Sequence, residues 1–138
     1  MTRRPVALAA LAALLLFAAP GCRGPHRAAN RVEIVPEGTA EITVVNQGLQ
    51  NRCTIRGSRA IYEDDILLGV VDLVSGVDRN KIYQYRFTWR DSDGINLEES
   101  AWDELHLKAL EEHQVQGRAT EPGATSGSFQ VRYSRRGE

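Results

Sequence analysis

The chain has 138 residues, of which 42% are hydrophobic and 25% are charged. This length and apolar fraction suit one compact domain, and they exclude both two full domains and a disordered chain. The 17 basic side chains nearly balance the 18 acidic ones, which gives a formal net charge of -1. A chain without excess positive charge lacks the basic face that neutralises phosphates, so we expect no nucleic-acid partner.

The first 21 residues are predicted to be a signal peptide for export. Arg3 and Arg4 form a basic start, and residues 6–19 carry no polar side chain. Spanning a bilayer takes about 20 consecutive apolar residues. Because this run is shorter and breaks at Pro20 and Gly21, the pattern favours a signal peptide over a transmembrane anchor.

The end of this segment resembles the lipobox of bacterial lipoproteins, in which small residues precede a cysteine that becomes acylated. Gly21 and Cys22 match that pattern, so residues 1–21 would be removed and Cys22 would carry the lipid. The alternative is ordinary secretion through the signal peptidase of soluble proteins. Arg23 stands where many lipoproteins retained at the inner membrane have aspartate. The resemblance therefore implies a lipid anchor on the periplasmic side of the bacterial envelope, with the outer membrane favoured over the inner.

Residues 22–31 are predicted to form the lipidated N-terminus and a short flexible tether, because they contain glycine, proline and several polar side chains without periodicity. The folded domain is predicted to occupy residues 32–138. With Cys22 acylated, Cys53 has no partner for a disulfide. Cys53 alternates with Ile55 on the apolar face of a predicted strand, which indicates a small buried side chain rather than a reactive thiol.

Short alternating segments predict an all-β domain. Residues 32–34 and 42–44 alternate with period two and are separated by a Pro-Glu-Gly turn. Residues 66–74 are apolar on both faces, which predicts a central strand, and Gly69 within it permits a close approach or a bulge. Near the end of the chain, residues 129–133 alternate again and predict a closing strand.

Residues 81–91 give the clearest pattern in the sequence. One face of the predicted strand is aromatic, whereas the opposite face is polar; the aromatic residues are Tyr83, Tyr85, Phe87 and Trp89. A strong turn sequence follows at residues 91–94, and Ile95 and Leu97 then resume the alternation, which predicts a β-hairpin. Large aromatic side chains bury about 150–250 Å² each, so this face is predicted to form core rather than a ligand platform.

Residues 100–117 allow two interpretations. Ser100 with Asp103 has the spacing of a capping box, and Trp102, Leu105 and Ala109 lie at helical spacing, so local rules favour a short helix. The competing interpretation is two strands, residues 105–107 and 113–119, with a turn between them.

The sequence from Tyr85 to Gly94, followed by Trp102, resembles the signature of the YcfL-like family of small periplasmic lipoproteins, a domain of unknown function. The resemblance covers roughly residues 43–135. The matching signature residues are Tyr85, Arg86, Phe87, Trp89, Asp91, Gly94 and Trp102. The resemblance implies a small immunoglobulin-like antiparallel β-sandwich, in which these residues have mainly structural roles, and it therefore favours two strands over a helix in residues 100–117.

Residues suited to catalysis or metal binding are few. The sequence has no G-x-S-x-G, H-E-x-x-H, C-x-x-C or glycine-rich phosphate motif, so we predict no catalytic residues, no cofactor and no metal site. The acidic residues 63–65 indicate a solvated loop, with a weak calcium contact as the alternative. His106 and His113 would meet only if their two strands paired.

The preferred hypothesis is a non-enzymatic envelope lipoprotein that presents its β-sandwich to protein partners. By resemblance, the genes of this family often lie near those of lipoproteins that activate peptidoglycan synthases, which suggests the peptidoglycan-synthesis machinery as the partner class. The alternative is a small-ligand or metal-binding module, or an enzyme, that uses the region of Asp103, His106, Glu112 and His113.

Overall fold

In a computed structural model of the protein, residues 28–135 are described and form two antiparallel β-sheets packed face to face. The all-β sandwich predicted from the alternation is thereby confirmed. The elements in chain order are β1 (Asn30–Ile34), β2 (Ile42–Thr43), α1 (Gln47–Arg52), β3 (Cys53–Glu63), β4 (Ile66–Ser75), β5 (Lys81–Arg90), β6 (Asn96–Glu99), β7 (Asp103–Leu107), β8 (Glu112–Arg118) and β9 (Ser126–Tyr133).

The larger sheet has the strand order β2-β1-β9-β5-β6, and β7 pairs with β5 beside β6. Strands β6 and β7 therefore share one edge of β5: Thr88 lies opposite Glu99 in β6, and Tyr85 lies opposite Asp103 in β7. The smaller sheet has the order β3-β4-β8. The predicted hairpin of β5 and β6 is confirmed, although Ile95 and Leu97 beyond its turn are exposed.

The aromatic face of β5 fills the space between the sheets, as predicted. Tyr83, Phe87 and Trp89 are buried, and Trp89 stacks on Phe87 with ring centroids 5.6 Å apart. Opposite them, the predicted central strand β4 buries both Val70 and Val71, one on each face.

Two buried positions in the smaller sheet agree with the sequence. Gly69 permits a close approach, because a Cβ there would lie 2.7 Å from Cδ1 of Ile34 and 3.0 Å from Cη2 of Trp89. Cys53 is a buried free thiol at the start of β3, and burial raises its pKa from 9.0 to about 12. It is therefore a small core side chain and not a thiolate nucleophile at neutral pH.

Residues 100–117 contain two strands and no helix. The Ser100 hydroxyl, which the helix interpretation assigned to a cap, accepts a hydrogen bond from the backbone N–H of Phe87 at 2.9 Å. The two strands do not pair with each other, since β7 joins β5 in the larger sheet and β8 joins β4 in the smaller one. Strand pairing within each sheet thus outweighs the local helical spacing.

The structure corrects one predicted boundary. Strand β1 begins at Asn30, two residues inside the predicted tether, because the Asn30 amide is buried and bonded: its Oδ1 accepts from the N–H groups of Val45 and Asn46. The acidic residues 63–65 are exposed, as a solvated loop predicts: Glu63 ends β3, and Asp64 and Asp65 form the tight turn to β4. Asp64 and Asp65 both have positive φ, 51° and 63°, as a type I′ hairpin turn requires.

Helix α1 is absent from the sequence predictions. It spans only six residues, and its N-terminus is capped by Asn46, whose side-chain oxygen accepts from the Leu49 N–H at 3.0 Å. Leu49 is the buried residue of the helix. One apolar residue in a single turn gives no periodic signal in the sequence, so packing of Leu49 against the core determines this helix.

Candidate functional site

The structure separates the residues of the predicted ligand or metal site. Asp103 and His106 lie on β7 in the larger sheet, whereas Glu112 and His113 lie on β8 in the smaller sheet. Each histidine therefore faces different neighbours: His106 Nε2 lies 3.3 Å from Glu104, and His113 lines a shallow depression with Arg56 and Asp72. Within residues 28–135, no group of three or more potential ligands is close enough to hold a metal ion.

The side chains that the fold does bring together lie around Trp102. The edge partner of β5 changes from β6 to β7 at residues 100–102. At this break Ser100 is fixed to the middle of β5, because its N–H donates to the Phe87 carbonyl and its hydroxyl accepts from the Phe87 N–H, both at 2.9 Å. Trp102 follows two residues later, where its ring reaches the polar outer face of β5 and β9.

Two guanidinium groups contact the Trp102 ring. Cζ of Arg132 lies 3.8 Å from the ring centroid and Cζ of Arg86 lies 4.6 Å from it, both within cation–π range. We call Arg86, Trp102 and Arg132 the arginine–tryptophan cluster.

Glutamines on the neighbouring strands orient both arginines. Arg86 Nε donates to Gln130 at 2.8 Å, and Arg132 Nε donates to Gln84 at 3.1 Å. Arg86 also forms an ion pair with Glu99 of β6. The cluster is thus held by hydrogen bonds across three adjacent strands, which limits how far its side chains must reorder when something binds.

Trp102 also stands at the rim of a groove between the two sheets. This groove encloses about 380 Å³ and is open to solvent. Its wall on the larger sheet is aromatic, with Tyr85, Phe87 and Trp89, and the opposite wall is formed by β8 around Gly117. A Cβ at Gly117 would lie 2.5 Å from the Phe87 ring, so the absence of a side chain allows the two walls to approach.

Asp103 is the one residue of the predicted site that lines this groove. Its Oδ2 lies 3.5 Å from the Tyr85 hydroxyl. Burial raises the pKa of Tyr85, and the nearby Asp103 carboxylate raises it further, so Tyr85 is a neutral phenol at neutral pH. The pair offers hydrogen-bonding groups at the groove mouth but no base poised beside a nucleophile.

The signature residues divide into three structural groups. Tyr85, Phe87 and Trp89 pack in the core, while Asp91 and Gly94 form the turn of the β5–β6 hairpin, where Asp91 Oδ1 accepts from the N–H groups of Asp93 and Ile95. Gly94 has φ 79°. The remaining two, Arg86 and Trp102, contact each other on the outer face. The sequence identified these two residues, but not that they meet, because their contact depends on the pairing of β5 with β7 and β9.

Other predicted features lie outside the described residues. These are the signal peptide and Cys22, with most of the tether. Among the described residues, no helix is long and apolar enough to span a membrane.

Comparisons with known proteins place the chain in a family. A search of curated proteins finds no match. Two solved structures are similar in fold. A DUF1425 family member from Shewanella sp. pv-4 is 23% identical, with a TM-score of 0.56, over 59% of this chain and 78% of that chain. Campylobacter jejuni cj0090 is 19% identical, with a TM-score of 0.52, over 58% of this chain and 85% of that chain. The sequence model described as "Protein of unknown function (DUF1425)" matches residues 40–133, more than half of the chain. The chain therefore belongs to the DUF1425 family.

Proposed function

We propose that this protein is a non-enzymatic lipoprotein of the cell envelope whose β-sandwich binds other envelope proteins. The observation that carries the proposal is the arginine–tryptophan cluster, in which a half-buried tryptophan lies against two arginines on a polar sheet face. Tryptophan and arginine are the side chains that most often dominate the free energy of protein–protein binding. The cross-strand hydrogen bonds hold the cluster in place before a partner arrives.

The location in this proposal comes from the sequence. The signal-like residues 1–21 and the lipobox-like Cys22 support a lipid anchor on the periplasmic side, by preference at the outer membrane. The resemblance to YcfL-like lipoproteins supports the peptidoglycan-synthesis machinery as the first class of partners to test.

Site-specific photocrosslinking in intact cells tests the proposal. A crosslinking amino acid at the exposed Ala101, beside Trp102, should give adducts with proteins of cell-wall synthesis, because position 101 would lie in the interface. The matched control is the same amino acid at His113, which is exposed on the other sheet and should give none of these adducts. With a purified partner, Trp102→Ala should weaken binding about 30-fold, the effect of losing about 2 kcal/mol at a central contact. Equal adducts from both positions, or none from position 101, would contradict the proposal.

A second candidate function is favoured by the groove. Its volume and its aromatic wall suit a small apolar ligand with one polar group placed near Asp103 and Tyr85. A thermal-shift panel of metals, glycans and small apolar compounds separates the two functions. A compound that raises the melting temperature of the wild-type protein, but not of a Gln116→Trp variant in which an exposed residue lining the groove is enlarged to fill it, would favour ligand binding.

A further inference from the structure

We infer that the end of the sandwich at which β1 begins lies against an anionic phospholipid surface. This inference rests on the acyl anchor of the proposed function, and it adds an orientation for the domain. Its starting point is the strand topology, which sorts the loops into two opposite ends.

One end, the entry end, contains the start of β1 and residues 44–52, 76–80, 108–111 and 134–135. Hydrogen bonds connect the first four of these segments to each other. The Asn30 amide donates to the Asn46 carbonyl at 2.9 Å, Gly76 N–H donates to the Arg52 carbonyl at 3.0 Å, and Leu110 N–H donates to the Val77 carbonyl at 3.0 Å.

The opposite end, the far end, contains the loops of residues 35–41, 64–65, 91–95 and 119–125. Contacts join this end as well. Thr125 N–H donates to the Arg90 carbonyl at 2.9 Å, and the Tyr62 hydroxyl donates to the Ala124 carbonyl at 3.3 Å. The length of the strands separates the far end from the residue at which the tether joins the domain.

The charges at the two ends differ strongly. The entry-end segments carry basic side chains in excess, with Arg52, Arg79, Lys108 and Arg135 against Asp78 and Glu111. The four far-end loops carry acidic side chains and no basic one: Glu37, Glu41, Asp64, Asp65, Asp91, Asp93 and Glu121. Although the net charge of the whole chain is only -1, the domain therefore has a basic pole and an acidic pole.

The position of the basic pole matches the predicted anchor. Seven residues lie between Cys22 and Asn30, which span at most about 25 Å when extended. An acyl chain on Cys22 would thus hold the domain close to the bilayer. Electrostatic attraction to an anionic surface acts within a Debye length, about 8 Å at physiological ionic strength, and each basic group near that surface contributes to it. The same surface repels the acidic far end, so only one orientation is favoured.

Exposed apolar side chains on the entry end fit the same surface. Val45 is 63% exposed and Leu110 is 69% exposed, and both lie in entry-end segments. Apolar side chains beside basic ones are the combination that inserts into the headgroup region of a bilayer. The occupant we assign to this end is accordingly a surface rich in phosphatidylglycerol or another anionic phospholipid.

Fluorescence quenching on the mature protein, purified as the cells process it, tests the orientation. Val45→Cys reports on the entry end, and Ile95→Cys, exposed at the far end, is the matched control. Each variant is labelled at the introduced cysteine with an environment-sensitive fluorophore. Cys53 does not react with the label, because it is buried. The protein is reconstituted into vesicles of phosphatidylcholine, with or without phosphatidylglycerol, that contain a headgroup-labelled nitroxide lipid.

We expect the Val45→Cys label to lose most of its fluorescence in vesicles with phosphatidylglycerol, and to regain it in high salt. The Ile95→Cys label should keep its fluorescence in both vesicles. Adding Arg79→Gln with Lys108→Gln should reduce the quenching at position 45. Thr39→Glu with Ser92→Glu, which changes the net charge equally at far-end positions, should leave that quenching in place.

The outcomes separate this inference from the proposed function. Equal quenching of the two labels, or quenching that does not depend on phosphatidylglycerol, overturns the orientation while the anchor stands. A mature protein that does not float with either vesicle contradicts the acyl anchor, and the inference fails with it.

Discussion

Truncation of Trp89 should be among the most destabilising single changes in the chain. The Trp89 side chain is 1% exposed and stacks on Phe87 at an interplanar angle of 7°. Its ring also occupies the space that two glycines leave open, since a Cβ at Gly69 would lie 3.0 Å from Cη2 and one at Gly127 would lie 2.6 Å from Cε3. Trp89→Ala therefore leaves a cavity between the two sheets that backbone atoms cannot fill.

The expected loss of unfolding free energy is about 3–5 kcal/mol, the usual cost of truncating a buried aromatic side chain. The value should lie toward the upper end, because the ring pair with Phe87 contributes about 0.5–1.5 kcal/mol beyond burial. A domain of this size has about 5–15 kcal/mol of stability in total. With a urea dependence of about 2 kcal/mol per molar, the midpoint should fall by about 2 M.

A double-mutant cycle with Gly69→Ala tests the packing itself. In the wild-type protein the added methyl group would meet Ile34 and Trp89, and such overpacking costs about 1–3 kcal/mol. In the Trp89→Ala background one of these neighbours is gone and Ile34 has room to move. Gly69→Ala should therefore cost at least about 1 kcal/mol less there, which is a coupling typical of residues in contact.

Urea unfolding followed by far-UV circular dichroism measures all four proteins without using tryptophan as the probe. Trp102→Ala is the control for loss of a tryptophan outside the core, and it should cost about 1 kcal/mol or less. An unchanged midpoint for Trp89→Ala would refute the assignment of the aromatic face to the core. Additive effects in the cycle would refute the direct contact between Gly69 and Trp89.

Three further predictions concern other parts of the chain. Asp64→Asn together with Asp65→Gly should raise the unfolding free energy by about 1 kcal/mol, because asparagine and glycine adopt the positive φ angles of this two-residue turn at lower cost. An unchanged urea midpoint would contradict that turn. Folding holds Cys53 as a neutral thiol, so its stabilising contribution is complete below pH 9 and is lost as the pH rises toward 12. The Cys53→Ala variant should therefore lose less unfolding free energy than the wild-type protein over that pH interval, as measured by urea titrations at successive pH values. An identical decline in the two proteins would exclude this linkage. Cys22→Ser should abolish incorporation of labelled palmitate without shifting the urea midpoint; absence of label from the wild-type protein would argue against the anchor.

The features that the sequence predicts correctly are those with repeated local patterns. Strand β5 alternates over ten residues and is followed by an Asp-Ser-Asp-Gly turn, so both the hairpin and the aromatic core face can be predicted without a structure. The close approach of other core side chains to Gly69 can be predicted for the same reason, because this glycine lies within an apolar run. Each of these depends on neighbours in sequence, for which periodicity is a sufficient guide.

Features that depend on contacts between distant segments escape such reasoning. The helical spacing of Trp102, Leu105 and Ala109 is real, yet hydrogen bonds with β5 determine the structure there. His106 and His113 are close in sequence but lie in different sheets. Arg132 is 30 residues beyond Trp102, and only the order of strands around β5 brings its guanidinium onto that ring.

The break between β6 and β7 has a consequence for self-association. An unpaired strand at the edge of a sheet is a template on which a second copy of the chain can add its own strand. Here the edge beside β5 is divided into pieces of four and five residues, and the opposite edge strand, β2, has only two. Short, interrupted edges offer few consecutive backbone groups for pairing, so the larger sheet resists growth into aggregates even where many copies are crowded together.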